Sequence, residues 1–197
     1  QKEHGRVKFV LATHNAGKVA ELRAILQPAV ANLDLIGYTG PEPIENGITF
    51  AENALIKARA AYEHTGMPAI ADDSGLCVDI LGGSPGIFTA IWAGGRDNVQ
   101  NRQLLLRQLA DISPAHRSAA FVCTIALVSE TEELCFTGNW PGSIAFAERG
   151  EHGHGYDPVF IPEGFEVTAA ELDPEVKNAL SHRAQALATL IDYLKTR

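Results

Sequence analysis

The stretch Val7-Lys8-Phe9-Val10-Leu11-Ala12, followed at once by Thr13-His14-Asn15-Ala16-Gly17-Lys18, joins an apolar, β-rich run to a small polar loop. The run has the composition of a buried strand. After the loop, Val19, Leu22, Ile25 and Leu26 fall on one face at helical spacing, and Pro28 is expected to end that helix. Strand, loop and helix in this order open an α/β fold. Such a junction turns backbone N–H groups and the positive end of a helix dipole toward an anion, and Lys18 adds a full charge. The G-x-x-x-x-G-K-[ST] spacing of a Walker A loop is absent. Taken alone, the junction is more simply a capped helix start with an incidental lysine.

Working outward, Leu33 and Leu35 alternate with polar neighbours as a second strand would. Thr49 and Glu52 form a capping box that opens a helix to about His64, with Ala54, Leu55, Ala58, Ala61 and Tyr62 on one face. Ala69-Ile70-Ala71 reads as a short buried strand ending at Asp72-Asp73, with a loop over Gly82 to Gly86. A helix is expected from Asp97 to Leu109. Strands are expected over Ala119 to Val128 and Leu134 to Gly138, joined across Ser129 to Glu133. Beyond the Gly- and His-rich loop 150–157 come a strand at Val159-Phe160-Ile161 and a short helix opened by Asp173-Pro174. Ser181 caps a last helix with Ala184, Leu187, Leu190, Ile191 and Leu194 on its apolar face. The mixture is α/β with an antiparallel part. No linker is visible, so residues 1–197 are expected to form a single domain, with residues 1–6 a flexible extension.

Composition narrows the function classes. The chain of 197 residues is long enough to bury a sizeable core without disulfide staples. Its formal charge of −8 argues against a broad nucleic-acid surface, which needs an excess of Lys and Arg, but leaves room for a small anion held by a few focused cations or one metal. No apolar run approaches the roughly 18 residues that span a bilayer, and the first residues are polar rather than signal-like. Cys77, Cys123 and Cys135 have neither C-x-x-C nor zinc spacing and are expected to be reduced, buried thiols of a cytoplasmic protein.

Three groups of residues could carry chemistry. The first is the loop Thr13 to Lys18. The second is Asp72-Asp73-Ser74-Gly75: on a strand, successive side chains face opposite ways, so one carboxylate can meet a ligand while its neighbour turns toward structural donors. A carboxylate beside a phosphate site suits hard, oxygen-preferring magnesium, with Glu45 a candidate second ligand, and could equally orient water for in-line attack on phosphorus. For the acidic pair alone, a turn capped by an Asp side chain fits as well. The third is His154-Gly155-Tyr156-Asp157, Lys177 and Ser181-His182-Arg183, which offer close backbone approach, flat rings and cations, the parts of a nucleotide site. His152 and His154 lack the further ligands of a zinc centre. Trp92 and Trp140 are read as packing residues.

As an ordered set, these segments resemble one family, the inosine triphosphate pyrophosphatases, also called Ham1-like. Thr13-His14-Asn15-Ala16-Gly17-Lys18 looks like its T-x-N-x-x-K, Gly47-Ile48-Thr49-Phe50-Ala51-Glu52-Asn53-Ala54 like G-x-T-F-x-E-N-A, and Ala71-Asp72-Asp73-Ser74-Gly75-Leu76 like A-D-D-S-G-L. Gly155-Tyr156-Asp157-Pro158 and Ser181-His182-Arg183 complete a match from about Val7 to Leu194. The resemblance implies an elongated mixed sheet with flanking helices, two lobes around a central substrate cleft, and a homodimer. It implies hydrolysis of ITP, dITP and XTP to monophosphate and pyrophosphate, with Mg2+ as cofactor and no nucleic-acid or membrane partner. By the same resemblance Asp73 is the proton acceptor and Glu45 and Asp73 the metal ligands; Thr13, His14, Asn15, Ala16, Gly17, Lys18, Ser74, His154, Gly155, Tyr156, Asp157, Lys177, His182 and Arg183 contact substrate. The region of His182 and Arg183 would read the 6-oxo group. Three positions depart from the pattern: His14 where many relatives have Gly, His154 in place of Phe, and Ile91 where bacterial members often carry Arg. A Maf-like nucleotide pyrophosphatase is the nearest rival, disfavoured by Ser181-His182-Arg183; a non-catalytic nucleotide-binding regulator would leave Asp73 and Glu45 without a purpose.

Overall fold

A computed structural model describes residues 5–196. Of the extension expected at residues 1–6, residues 1–4 lie outside this range, and Gly5 and Arg6 lead into the first strand without regular structure. The strands are β1 Val7–Leu11, β2 Leu33–Gly37, β3 Ala69–Val78, β4 Ser118–Val128, β5 Glu133–Ile144 and β6 Phe160–Pro162. The helices are α1 Ala16–Ala29, α2 Phe50–Thr65, α3 Asn98–Gln108, α4 Pro174–Leu180 and α5 His182–Lys195. The strands form one sheet in the order β2-β1-β3-β4-β5-β6. It is mixed: β1 runs parallel to β2 and β3, while β5 and β6 are antiparallel. The α/β expectation with flanking helices therefore holds.

The chain divides into two compact units. The first comprises the chain up to Asp73, Thr124–Thr137 and the segment from Ala186; the second comprises Ser74–Cys123 and Gly138–Gln185. In the first unit, Val10, Ala69, Ala71, Ala126 and Val128 pack with Ala54, Ala58 and Ala61 of α2. The three helix alanines are fully buried. A stripe without bulk lets the α2 backbone lie close to the strands, so the polar residues flanking it, Asn53 and Lys57, reach β3. The start of α2 is the expected capping box, with Glu52 N–H donating to Thr49 Oγ1 at 3.0 Å and Ile48 N–H to a Glu52 carboxylate oxygen at 2.6 Å.

In the second unit, Leu76, Val78, Leu105, Leu109, Phe121, Trp140, Tyr156 and Phe160 form the core. Buried Arg117 clips the end of α3 to β5, donating from Nε to Ile144 O at 2.8 Å and from Nη1 to Leu109 O at 2.5 Å. Trp140 is 5% exposed, and Trp92 is half-buried against the same core. Both therefore pack, as read from the sequence.

Four expectations need correcting. Pro28 does not stop α1 but sits in its last turn, where the hydrogen bond it forfeits is one of the final ones and the Val30 N–H still reaches Leu26 O at 2.9 Å. The strand beginning at Ala69 does not end at the acidic pair. It continues to Val78 because Leu76 and Val78 are fully buried, and that burial overrides the poor strand propensity of Asp, Ser and Gly. Likewise β5 runs on to Ile144 through Gly138 and Pro141, with Trp140 and Ile144 turned into the core. Of the cysteines, all free, only Cys123 is buried; Cys77 is half-buried and Cys135 lies exposed on the outward face of β5. Among the described residues, no helix is long and apolar enough to cross a membrane.

Candidate active site

Two sets of the candidate residues come together, one in each unit. In the first unit, Thr13 to Asn15 leave β1 as a loop and Ala16 and Gly17 open α1, all of them exposed or half-exposed. Asn15 caps α1, its Oδ1 accepting the Lys18 N–H at 3.1 Å, while Thr13 Oγ1 accepts the Asn15 N–H at 3.2 Å. The loop is thus built by local side-chain hydrogen bonds that aim the first turn of α1, with its partial positive charge, outward.

The Lys18 ammonium does not stand alone. It forms an ion pair with the Asp72 carboxylate, which is largely buried in β3. Lys57, one turn after Asn53 on α2, donates to the Asp72 carbonyl at 2.5 Å and lies 3.1 Å from a Glu45 carboxylate oxygen. Asp73, the next residue of β3, is half-buried. Burial pushes its carboxyl up to about 6; Lys57 opposes the rise, and Glu45 and Asp72 add to it. Asn53 completes the set: its Oδ1 accepts the Gly47 N–H at 2.8 Å, and its side chain hydrogen-bonds Asp73. Three carboxylates thus share one region with two lysines.

This donor set fits a hard cation. All of its atoms are oxygens, Asp72 is committed to Lys18, and Glu45 and Asp73 are the two carboxylates whose mutual repulsion a divalent ion would relieve. No group of three or more His, Cys, Asp or Glu able to hold a metal occurs among the described residues. Magnesium needs no closed protein cage: it binds through one or two carboxylates and completes its coordination with substrate oxygens and water.

In the second unit, Ser74 follows Asp73 on β3 and is half-exposed. Asp157 is 4% exposed and accepts at Oδ2 from the His154 N–H at 3.0 Å and from Lys177 Nζ at 2.5 Å. Gly153 turns with φ of +72°, and a side chain there would drive into the Asp157 carboxylate. His154 itself is exposed. The His182 ring stacks on Phe121 at 4.9 Å and 14°, and lies 6.4 Å from Trp140 at 16°. Arg183 follows it, half-buried, in the first turn of α5.

Tyr156 corrects the sequence reading. It is 4% exposed, its ring belongs to the core, and its hydroxyl donates to the Thr89 carbonyl at 2.7 Å. Its ring offers no open face for a base; it holds the loop that presents His154 and Gly155. Ile91, the third departure from the family pattern, is 43% exposed at the end of the short helical segment Gly86–Ile91.

Lys57 and Asn53 were missed in the sequence. Their signal was available, since two polar residues four apart flank the alanine stripe of a capped helix and so share its edge. Arg102 was also missed. It donates to the Gly155 carbonyl at 3.3 Å and pairs with Glu148, which holds the 150–157 loop from α3; an arginine on a helix surface carries no such signal.

Residues 9–193 match the Ham1 family. The chain is 58% identical over 191 residues to a dITP/XTP pyrophosphatase of Leifsonia xyli subsp. xyli, covering 96% of each chain. Among solved structures, a HAM1 protein from Coxiella burnetii superposes with a TM-score of 0.90 at 41% identity, covering 97% of this chain and all of that one. A nucleoside-triphosphatase / dITP/XTP pyrophosphatase from Mycobacterium abscessus gives a TM-score of 0.83 at 46% identity, covering 93% of this chain and 98% of that one.

Proposed function

The chain belongs to the Ham1 family, and from that membership we propose that it is a nucleoside-triphosphate pyrophosphatase of nucleotide-pool sanitation, cleaving non-standard purine nucleotides such as dITP, ITP and XTP to monophosphate and pyrophosphate. The observation that carries the reading is the grouping of Glu45, Asp72 and Asp73 with Lys18 and Lys57 beside the loop that starts α1. A binding protein needs cations and a helix end for a triphosphate. It has no use for the further carboxylates Glu45 and Asp73 beside them, whereas hydrolysis does.

The residues act as follows. The first turn of α1 and Lys18 receive phosphate oxygens, and Asp72 holds the lysine in place until they arrive. Asp73 takes the proton of the water that attacks the α-phosphorus in line; burial pushes its carboxyl up to about 6 in the metal-free protein, and a cation beside it would draw that value down. Lys18 and Lys57 meet the charge that develops on the departing pyrophosphate. Magnesium, held by Glu45 and Asp73, would supply Lewis-acid charge to the phosphate oxygens. Ser74, His154 and Gly155 contact the nucleotide, and His182 with Arg183 reads the 6-oxo group of the purine. Asp157 and Tyr156 act through the loop they hold rather than through the base. The whole chain works as one catalytic domain, in a cytoplasmic homodimer without nucleic-acid or membrane partners.

Product analysis tests the reading. With magnesium, ITP, dITP and XTP should each give pyrophosphate and the monophosphate, while dGTP and dUTP turn over far more slowly. Release of inorganic phosphate, equal turnover of dUTP, or full activity in chelator would reject it.

A further inference from the structure

Glu45 sits in a long irregular segment between β2 and α2, with no regular structure from residue 38 to residue 46. Such a segment would leave a metal ligand poorly placed unless something restrains it. Its far end is held by α2, through the Gly47 N–H on Asn53 and the Ile48 N–H on Glu52. Its near end is held by the Tyr38 hydroxyl, which donates to Pro41 O at 2.7 Å. The middle is held from the phosphate loop. His14 Nε2 lies 2.6 Å from the Gly40 carbonyl oxygen, its Nδ1 lies 3.3 Å from a Glu42 carboxylate oxygen, and its ring leans on Tyr38 with centroids 5.7 Å apart. Gly40 is itself wedged in place, since a Cβ there would come within 2.5 Å of both His64 and the Tyr38 hydroxyl.

We propose that His14 is a positioning residue that straps the Glu45 segment to the phosphate loop and so sets the metal ligand relative to the phosphate-binding turn. The inference rests on the reading of Glu45 as a magnesium ligand, and it gives the side chain at position 14 a task that a glycine could not perform. The imidazole is spent on Gly40 and Glu42, three to five residues before Glu45, rather than on substrate. Losing one hydrogen bond of this kind is worth about 1 kcal/mol, or roughly a five-fold change in an equilibrium.

The test compares wild type with His14→Ala, His14→Gln and Glu45→Gln. Hydrogen exchange of the metal-free, nucleotide-free protein should show the Gly47 and Ile48 amides, the hydrogen-bonded donors that end this segment, exchanging about five-fold faster in His14→Ala. His14→Gln, whose amide can still donate to Gly40 O, should restore the wild-type rate. The magnesium concentration for half-maximal ITP hydrolysis should rise by a similar factor in His14→Ala and fall back in His14→Gln. Unchanged exchange in His14→Ala, failure of glutamine to restore it, or faster exchange with an unaltered magnesium dependence overturns the strap. A Glu45→Gln variant with wild-type magnesium dependence would overturn the metal reading instead, whatever the exchange data show.

Discussion

The two groups of candidate residues are built on opposite plans. In the first unit, the charged groups range from buried Asp72 to exposed Glu45 and are paired mainly with one another: Lys18 with Asp72, Lys57 with Glu45, and Asp73 crowded by its acidic neighbours. In the second unit, Tyr156 and Asp157 are each only 4% exposed, and their hydrogen bonds run to Thr89 O, the His154 N–H and Lys177. The first arrangement is electrostatically uneasy and can exchange partners when an anion arrives. The second is buried, and its polar groups are hydrogen-bonded to the protein. Removing a charge from the first should therefore change catalysis while sparing or raising stability, and removing a group from the second should lower stability first.

Asp73→Asn should show the largest effect, a loss of kcat on the order of 10³-fold measured as pyrophosphate release. The same substitution should stabilise the protein at pH 8. Because the folded-state pKa of Asp73, about 6, lies above its value of 3.8 in a model peptide, its favourable contribution is complete below about 3.8 and lost as pH rises through about 6. Above that range the ionised carboxylate opposes folding, and Asn should recover about 1 to 2 kcal/mol after allowance for partial exposure. Thermal melts at pH 4 and pH 8 check the sign: the gain should appear only at pH 8. Equal melting temperatures at pH 8 would dissolve the contrast between the two regions.

Lys177→Met leaves the Asp157 carboxylate buried without its cation and should destabilise the protein by about 3 kcal/mol, seen as a lowered denaturant midpoint at constant slope. Lys57→Met should cut kcat by roughly 10- to 100-fold with little change in melting temperature. Lys57 draws the Asp73 pKa down, so its loss should raise that pKa further, which carboxyl NMR of the metal-free protein can follow. Tyr156→Phe should have the smallest effect. It removes the hydroxyl that reaches Thr89 O and should lower stability by about 1 kcal/mol with kcat nearly unchanged. A large fall in kcat with normal stability would return Tyr156 to the substrate.

The fold was legible wherever a signal is local. The caps read at Thr49 and Ser181 form, and Asp97 and Asp173 cap the helices expected to start there, because a side chain needs only the N–H groups two or three residues on. Strand ends were less legible: Asp72-Asp73 and Pro141 look like terminators, and only the burial of Leu76, Val78, Trp140 and Ile144 carries β3 and β5 past them. Within the candidate site, residue types pointed to the loop at Thr13 and to the acidic pair. They did not point to Lys57, Asn53 or Arg102, whose importance comes from what they touch.

For the opening stretch, sequence alone determined the strand, the polar loop, the helix and the cation at its start, since these follow from side-chain period and capping within a dozen residues. Only the tertiary structure decided what Lys18 and His14 meet. Lys18 finds Asp72 54 positions away, and His14 finds the Gly40 carbonyl 26 positions away. Partners so distant are chosen by the packing of an alanine-faced helix on a parallel strand pair, and no local pattern encodes them.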